Sequence, residues 1–129
     1  MSWFKDEGGS TIDRGQRAED RAQRFLEDRG LELRAAHYRV ARGPSRHAGE
    51  VDLIMRDRDG TLVFVEVRSR RDASFGGAAA SVGVTKQRRI RRAAEHYLSR
   101  MRALPACRFD VVAIDGERVE WIQAAFDAS

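Results

Sequence analysis

The sequence predicts an α/β domain in which a mixed central sheet is flanked by helices, in the order α-β-β-β-α-β-β. Three observations lead there. Two stretches carry apolar residues at helical spacing, several short stretches alternate or run apolar as strands do, and glycine-marked turns separate them. Strands that are apolar on both faces need helices packed against them to bury both.

The first helix falls at residues 13–29, where Gly15, Ala18, Ala22, Phe25 and Leu26 recur at helical spacing and Gly30 marks the stop. Glu19 lies at the border of this apolar stripe, beside Leu26, whereas Asp20 points away. Residues 31–38 form the expected first strand, with Leu31 and Leu33 on one face, and residues 39–48, which hold Gly43-Pro44-Ser45, a loop. Residues 49–54 and 63–68 are the next two strands, and the Asp59-Gly60 turn between them makes a hairpin. The small-residue stretch 73–84 is expected to be a loop, and Gly76 to Ala80 within it, lacking the Lys-Ser/Thr of a phosphate-binding loop, a mobile flap. The second helix spans residues 85–102 on Ile90, Ala93, Ala94, Tyr97, Leu98 and Met101, and Pro105 stops it. Residues 108–115 and 118–122 pair around Asp115-Gly116-Glu117. The resulting division is a flexible leader at 1–12, one domain at 13–123 and a tail at 124–129.

With 129 residues, the chain has room for one core and not two. It carries 24 Lys and Arg against 20 Asp and Glu, and only Lys5 and Lys86 are lysines. Guanidinium groups bind phosphate in a bidentate way, so this bias favours a polyanionic partner; frequent Arg codons alone would give the same composition. Cys107 is the only cysteine, which excludes an intramolecular disulfide and a cysteine zinc framework, and it is expected to be a buried thiol. His37, His47 and His96 are too scattered for a zinc site, although the loop of His47 leads into an acidic strand. Ser69 lacks the partners of a nucleophilic triad. Trp3 is expected to be a loose terminal aromatic and Trp121 a core residue. The start has no signal-peptide pattern and no apolar run reaches spanning length, so a soluble, cytoplasmic protein without a membrane is expected.

Chemistry concentrates in two strands. In Gly49-Glu50-Val51-Asp52-Leu53-Ile54, alternation puts Glu50 and Asp52 on one face and Val51 and Leu53 on the other. In Val63-Phe64-Val65-Glu66-Val67-Arg68, Glu66 and Arg68 lie opposite Val63, Val65 and Val67. Carboxylates in such strands cost several kcal/mol unless paired, hydrogen-bonded or bound to a cation. A hairpin would bring Asp52 and Glu66 together, which suits a hard divalent cation such as Mg²⁺; a buried ion pair with Arg68 or Arg39 would also satisfy them. Glu19 and Glu50 are either further site carboxylates or solvated ones. Lys86 should point toward the sheet from the start of its helix, where a cation opposes the helix dipole and a phosphate would favour it, or else snorkel at the surface. Arg88, Arg91 and Arg92 lie together opposite the helix core and can track phosphates or simply face solvent.

The pattern Asp52, then Glu66-Val67-Arg68, resembles the PD-(D/E)xK nuclease superfamily. The Glu19 helix, the Gly49 to Ile54 strand, the Phe64 to Arg68 strand, the Lys86 helix and Arg108-Phe109-Asp110-Val111-Val112 together resemble the YraN family of bacterial proteins across residues 15–122. That family is a predicted endonuclease family similar to archaeal Holliday junction resolvases. The resemblance implies a restriction-endonuclease-like fold, DNA as partner with branched or single-stranded forms included, and Mg²⁺ or Mn²⁺ as cofactor; a homodimer is compatible with it. It implies that Asp52, Glu66 and the Val67 carbonyl hold metal, that Glu50 orients a water or binds a second ion, and that Glu19 fills a helical acidic position. The superfamily's usual Lys is Arg68 here, and a guanidinium stays protonated, so Arg68 can stabilise charge but cannot act as a general base. Two other readings stand beside a nuclease: a catalytically silent DNA-binding module using the same basic surface, and an adaptor whose ion pairs serve stability.

Overall fold

The computed structural model describes residues 11–42, 45–69, 77 and 81–128, with the side chains at 11–14, 42 and 45–47 outside that description. The element order is α1 (Thr11–Asp28), β1 (Glu32–Arg42), β2 (Ser45–Arg56), β3 (Leu62–Ser69), α2 (Val84–Leu98), β4 (Cys107–Asp115) and β5 (Arg118–Phe126). This is the predicted order, and the five strands form one mixed sheet, β1-β2-β3-β4-β5, in which only β3 and β4 run parallel. The parallel pair follows from the crossover through α2, since antiparallel neighbours need only a turn.

Among the described residues, each face of the sheet carries one helix. Ala22 and Leu26 of α1 pack on Leu53, Met55, Val63, Val65 and Val112, while Ile90, Ala93 and Ala94 of α2 pack on Val51, Ile54, Phe64 and Val111. Alternation along β3 therefore feeds two cores at once, which is why residues 62–66 are buried without a break. Helix α1 stops at Gly30, whose φ of 97° is left-handed, and the Leu31 amide closes back on the Leu26 carbonyl at 3.1 Å.

Several boundaries differ from the sequence expectation. Residues 39–42 and 45–48, expected as loop, are strand, so β1 and β2 form a long hairpin with Arg42 opposite Ser45. Helix α2 ends at Leu98, well before Pro105. The Ser99 hydroxyl donates to the His96 carbonyl at 2.7 Å, the last turn tightens through Met101 N–H to Leu98 O, and Met101 is exposed rather than buried. Strand β5 continues to Phe126 because Phe126 stacks on Phe109 and the Ala124 amide donates to the buried Asp110 carboxylate at 2.9 Å. Trp121 is half-buried, edge-on to Phe25, and donates to Asp110 at 2.9 Å; Cys107 is also half-buried, and that burial raises its thiol pKa. Trp3 and the expected flap at Gly76 to Ala80, Gly77 apart, lie outside the described residues, as does the side chain of His47.

Gly49 fixes how closely α2 approaches β2. A Cβ there would stand 2.9 Å from the Ala93 amide nitrogen and 3.2 Å from the Arg92 Cβ. Backbone cannot yield as a flexible side chain would, so Gly49→Ala is expected to destabilise the fold by about 1–3 kcal/mol, the usual cost of overpacking. Chemical denaturation with an unchanged midpoint would show that the helix moves freely.

Candidate functional site

The site is a fork. Strand β2 pairs with β3 only from Leu53↔Val65 to Arg56↔Leu62, whereas β3 runs on beside β4 as far as Ser69↔Ile114. Beyond Leu53 the two strands part, and the Asp52 carboxylate bridges the opening by accepting the Val67 amide hydrogen at 2.8 Å. Alternation breaks at this point. Val51 packs with Ile54 and Phe64 on the α2 side, and Leu53 with Leu26 on the α1 side, so the expectation that Val51 and Leu53 share a face is wrong. The cause is the bend that turns Asp52 into the fork. Across from it in β1, between the pairs Ala36↔Leu53 and Tyr38↔Val51, His37 has a φ of 53°.

Three carboxylates gather at the bend. Asp52 lies between Glu19 of α1 and Glu66 of β3, close enough to hydrogen-bond with each. Burial, and then the charge of Asp52, raise Glu19 from 4.5 to about 8, with Arg39 opposing the rise. Burial and Asp52 likewise raise Glu66 from 4.5 to about 8, against the pull of Lys86 and Arg68. Glu66 is a buried carboxyl whose Oε1 has no hydrogen-bond partner.

Cations ring these groups. Lys86 reaches in from the first turn of α2, its Nζ 2.8 Å from Glu50 Oε2 and 3.9 Å from Glu66 Oε1. Arg68 Nε stands 3.3 Å from Glu66 Oε2, and Arg89 Nη1 is 3.9 Å from Glu50 Oε2. Glu50 thus faces α2, while Asp52 couples to Glu19 of α1; the expectation that Glu50 and Asp52 share a face fails with the alternation.

The structure brings Glu19, Glu50, Asp52, Glu66, Arg68 and Lys86 to one fork, as the residue types suggested. The helical arginines are spread more widely. Arg88 is exposed, Arg91 holds the Asp127 carbonyl and the Gln87 amide oxygen, each at 3.0 Å, and Arg92 reaches the Ala48 carbonyl at 3.4 Å. Sequence reasoning missed His37, whose Nε2 lies 3.0 Å from both Glu19 Oε1 and Gln16 Oε1. The one available signal was chemical: histidine is among the few non-glycine types enriched at positive φ. His96 Nδ1 meets the Tyr38 hydroxyl at 2.6 Å.

Raised carboxyl pKa values couple the site to stability. Between about pH 4.5 and 8 the folded protein holds protons on Glu19 and Glu66 that the unfolded chain has released. Stability must then fall as pH rises through that window and level off above it. A thermal midpoint that declines from pH 5 to 8 in chelator, with a flatter decline in Glu66→Gln, is the expected result; a rise in the wild type would show the carboxyls to be ionised and satisfied.

The fold and the fork together define an α/β protein with a mixed five-stranded sheet and a carboxylate-and-cation cluster where two strands diverge. The chain belongs to the uncharacterised protein family UPF0102, the YraN family, whose model matches residues 18–114. It is 60% identical over 115 residues to a UPF0102 protein of Methylibium petroleiphilum, covering 89% of this chain and 94% of that one. A UPF0102 protein of Paracidovorax citrulli is 58% identical, covering 88% and 82%, and one of Albidiferax ferrireducens 54% identical, covering 97% and 95%. Among the described residues, no helix is long and apolar enough to cross a membrane.

Proposed function

We propose that this protein is a metal-dependent endonuclease of the restriction-endonuclease-like class, hydrolysing DNA phosphodiester bonds, with branched or otherwise structured DNA among its substrates. The observation that carries the reading is the buried Glu66 carboxyl, whose Oε1 lacks a hydrogen bond, beside a second carboxylate, Asp52, and the cations Lys86 and Arg68. Among the described residues no three His, Cys, Asp or Glu side chains form a metal cage by themselves. The donor set nevertheless fits Mg²⁺ or Mn²⁺, which take hard oxygen ligands and keep several waters. Asp52, Glu66 and the Val67 carbonyl would hold the ion.

When bound, such an ion supplies charge to a phosphoryl oxygen and lowers the pKa of water. The remaining work falls to the chain's own residues. Arg68 and Lys86 hold positive charge beside Glu66, where a phosphate that gains charge on bond breaking would be stabilised. Glu50 and Glu19, on opposite sides of Asp52, orient water or carry a proton; the raised pKa of Glu19 suits proton transfer near neutral pH. Arg88, Arg91 and Arg92 of α2 contact backbone phosphates, with Arg91 and Arg92 first giving up their contacts to carbonyls. A catalytically silent DNA-binding module remains the rival, favoured by Arg68 at the usual lysine position.

The test is a panel of single-stranded, duplex, flap and four-way DNA incubated with Mg²⁺, Mn²⁺ or chelator. Cleavage is expected with metal and not with chelator, and lost in Glu66→Gln. DNA binding without cleavage under either metal would establish the silent module instead.

A further inference from the structure

One side chain at the fork has no part in the chemistry above: His37. It holds a φ of 53° within β1, a conformation in which a residue with a side chain is strained, and strain of this kind gathers at functional sites. The pairs Ala36↔Leu53 and Tyr38↔Val51 set it opposite Asp52. Its ring reaches α1, where Nε2 lies 3.0 Å from Gln16 Oε1 and 3.0 Å from Glu19 Oε1. Gln16 donates its amide N–H to Asp20 Oδ1 at 2.9 Å, which leaves its own Oε1 to accept. The His37 nitrogen between the two acceptors therefore carries the hydrogen. Glu19 Oε1 is buried beside that N–H without a completed hydrogen bond, while the same carboxyl is within hydrogen-bonding reach of Asp52.

We propose that His37 is a positioning residue of the fork, whose ring fixes where the Glu19 carboxyl stands against Asp52. The inference rests on the nuclease reading above, in which Glu19 orients water or carries a proton, and adds the residue that sets its geometry. A glutamate on a helix has several staggered rotamers open to it, so reaching the fork does not by itself aim the carboxyl. Asp52 and the charge of Arg39 act on that carboxyl, and His37 meets its Oε1. His37 also holds the helix through Gln16, three residues before Glu19 and on the same helical face. One ring thus ties both the helix and the carboxyl to the strand position opposite Asp52. Its side chain is 39% exposed, so removing the ring opens a notch to solvent and not a cavity in the core.

The full-length chain, isotope-labelled at its glutamate carboxyls, is compared with His37→Gly, which accepts the same backbone and lacks the ring. In chelator, the Glu19 carboxyl resonance is expected to move in His37→Gly while that of Glu66 stays, and free imidazole entering the notch should return it. With Mg²⁺ and DNA, kcat is expected to fall about tenfold or more with KM within about twofold, since misplacement by about 1 Å can cost about 10² in rate. Imidazole should restore kcat, and in a Glu19→Gln background His37→Gly should cost nothing further, because the ring acts through that carboxyl. A ring that only held α1 to β1 would lower the thermal midpoint without these effects. An unmoved Glu19 resonance would overturn the proposal, as would a wild-type kcat in folded His37→Gly or a loss that persists in full beside Glu19→Gln. A resonance that moves in a protein that cleaves nothing in Mg²⁺ or Mn²⁺ would leave the positioning standing and overturn the nuclease reading. If glycine leaves the chain unfolded, His37→Asn, another type that tolerates positive φ, takes its place with the same expected losses.

Discussion

Replacing Glu66 by glutamine is expected to raise the melting temperature of the metal-free protein and to abolish its response to Mg²⁺ or Mn²⁺. Burial and the neighbouring Asp52 raise the Glu66 carboxyl to about 8, so at pH 8 and above the wild type must ionise a buried group beside another acid. Glutamine keeps the shape and removes that cost; about 1 kcal/mol corresponds to roughly 4 °C in a chain of this size. It also removes the anionic ligand. An ion at about 100 times its Kd stabilises the wild type by about 2.7 kcal/mol, and the variant should gain nothing. Asp52→Ala should likewise lose the metal response, but at a cost in stability, because Asp52 accepts the Val67 amide hydrogen across the fork. Thermal unfolding with and without metal checks both, and a wild type indifferent to both ions would remove the metal site.

Arg68→Ala is expected to reduce metal-dependent cleavage by about 10²–10³, the usual effect of removing a charge-stabilising donor, while Arg68→Lys stays within about tenfold. The guanidinium stands 3.3 Å from Glu66 Oε2, so its contribution is positive charge, which lysine also supplies. Single-turnover rates with saturating metal decide the point. A lysine variant that cleaves strongly where the wild type does not would mean that the protein needs a base at this position and lacks one. The metal site would then stand, and native catalysis would fall.

Most of the architecture was legible because it rests on periodicity. Phe64 and Val65 feed opposite cores as a period of two requires, and Ala22, Leu26, Ile90 and Ala94 do so at helical spacing. The hairpin turn was legible in Asp59-Gly60, where Gly60 takes a φ of 92°. Departures arose where a side chain replaced a backbone partner. Asp52 takes the Val67 amide that a strand partner would have taken, so β2 bends and Val51 and Leu53 part company. Alternation alone carries no mark of such a bend. Residues 39–48 lacked an alternating apolar pattern because the hairpin there leaves the sheet, so its strands were hidden behind Gly43-Pro44. The site residues were legible by type, since buried strands seldom hold acids, but His37 and Arg89 enter only through tertiary approach.

Both outer strands of the sheet carry a non-glycine residue in the left-handed conformation, His37 in β1 and Ala124 in β5. At β5 the pairing with β4 shifts register around Ala124, whose amide donates to Asp110. An incoming strand from another molecule needs an unbroken row of donors and acceptors along the edge it joins. Neither rim of this sheet offers one along its full length. These two positions therefore work against stacking of copies into extended ribbons and aggregates, and one of them, His37, stands opposite the fork's Asp52.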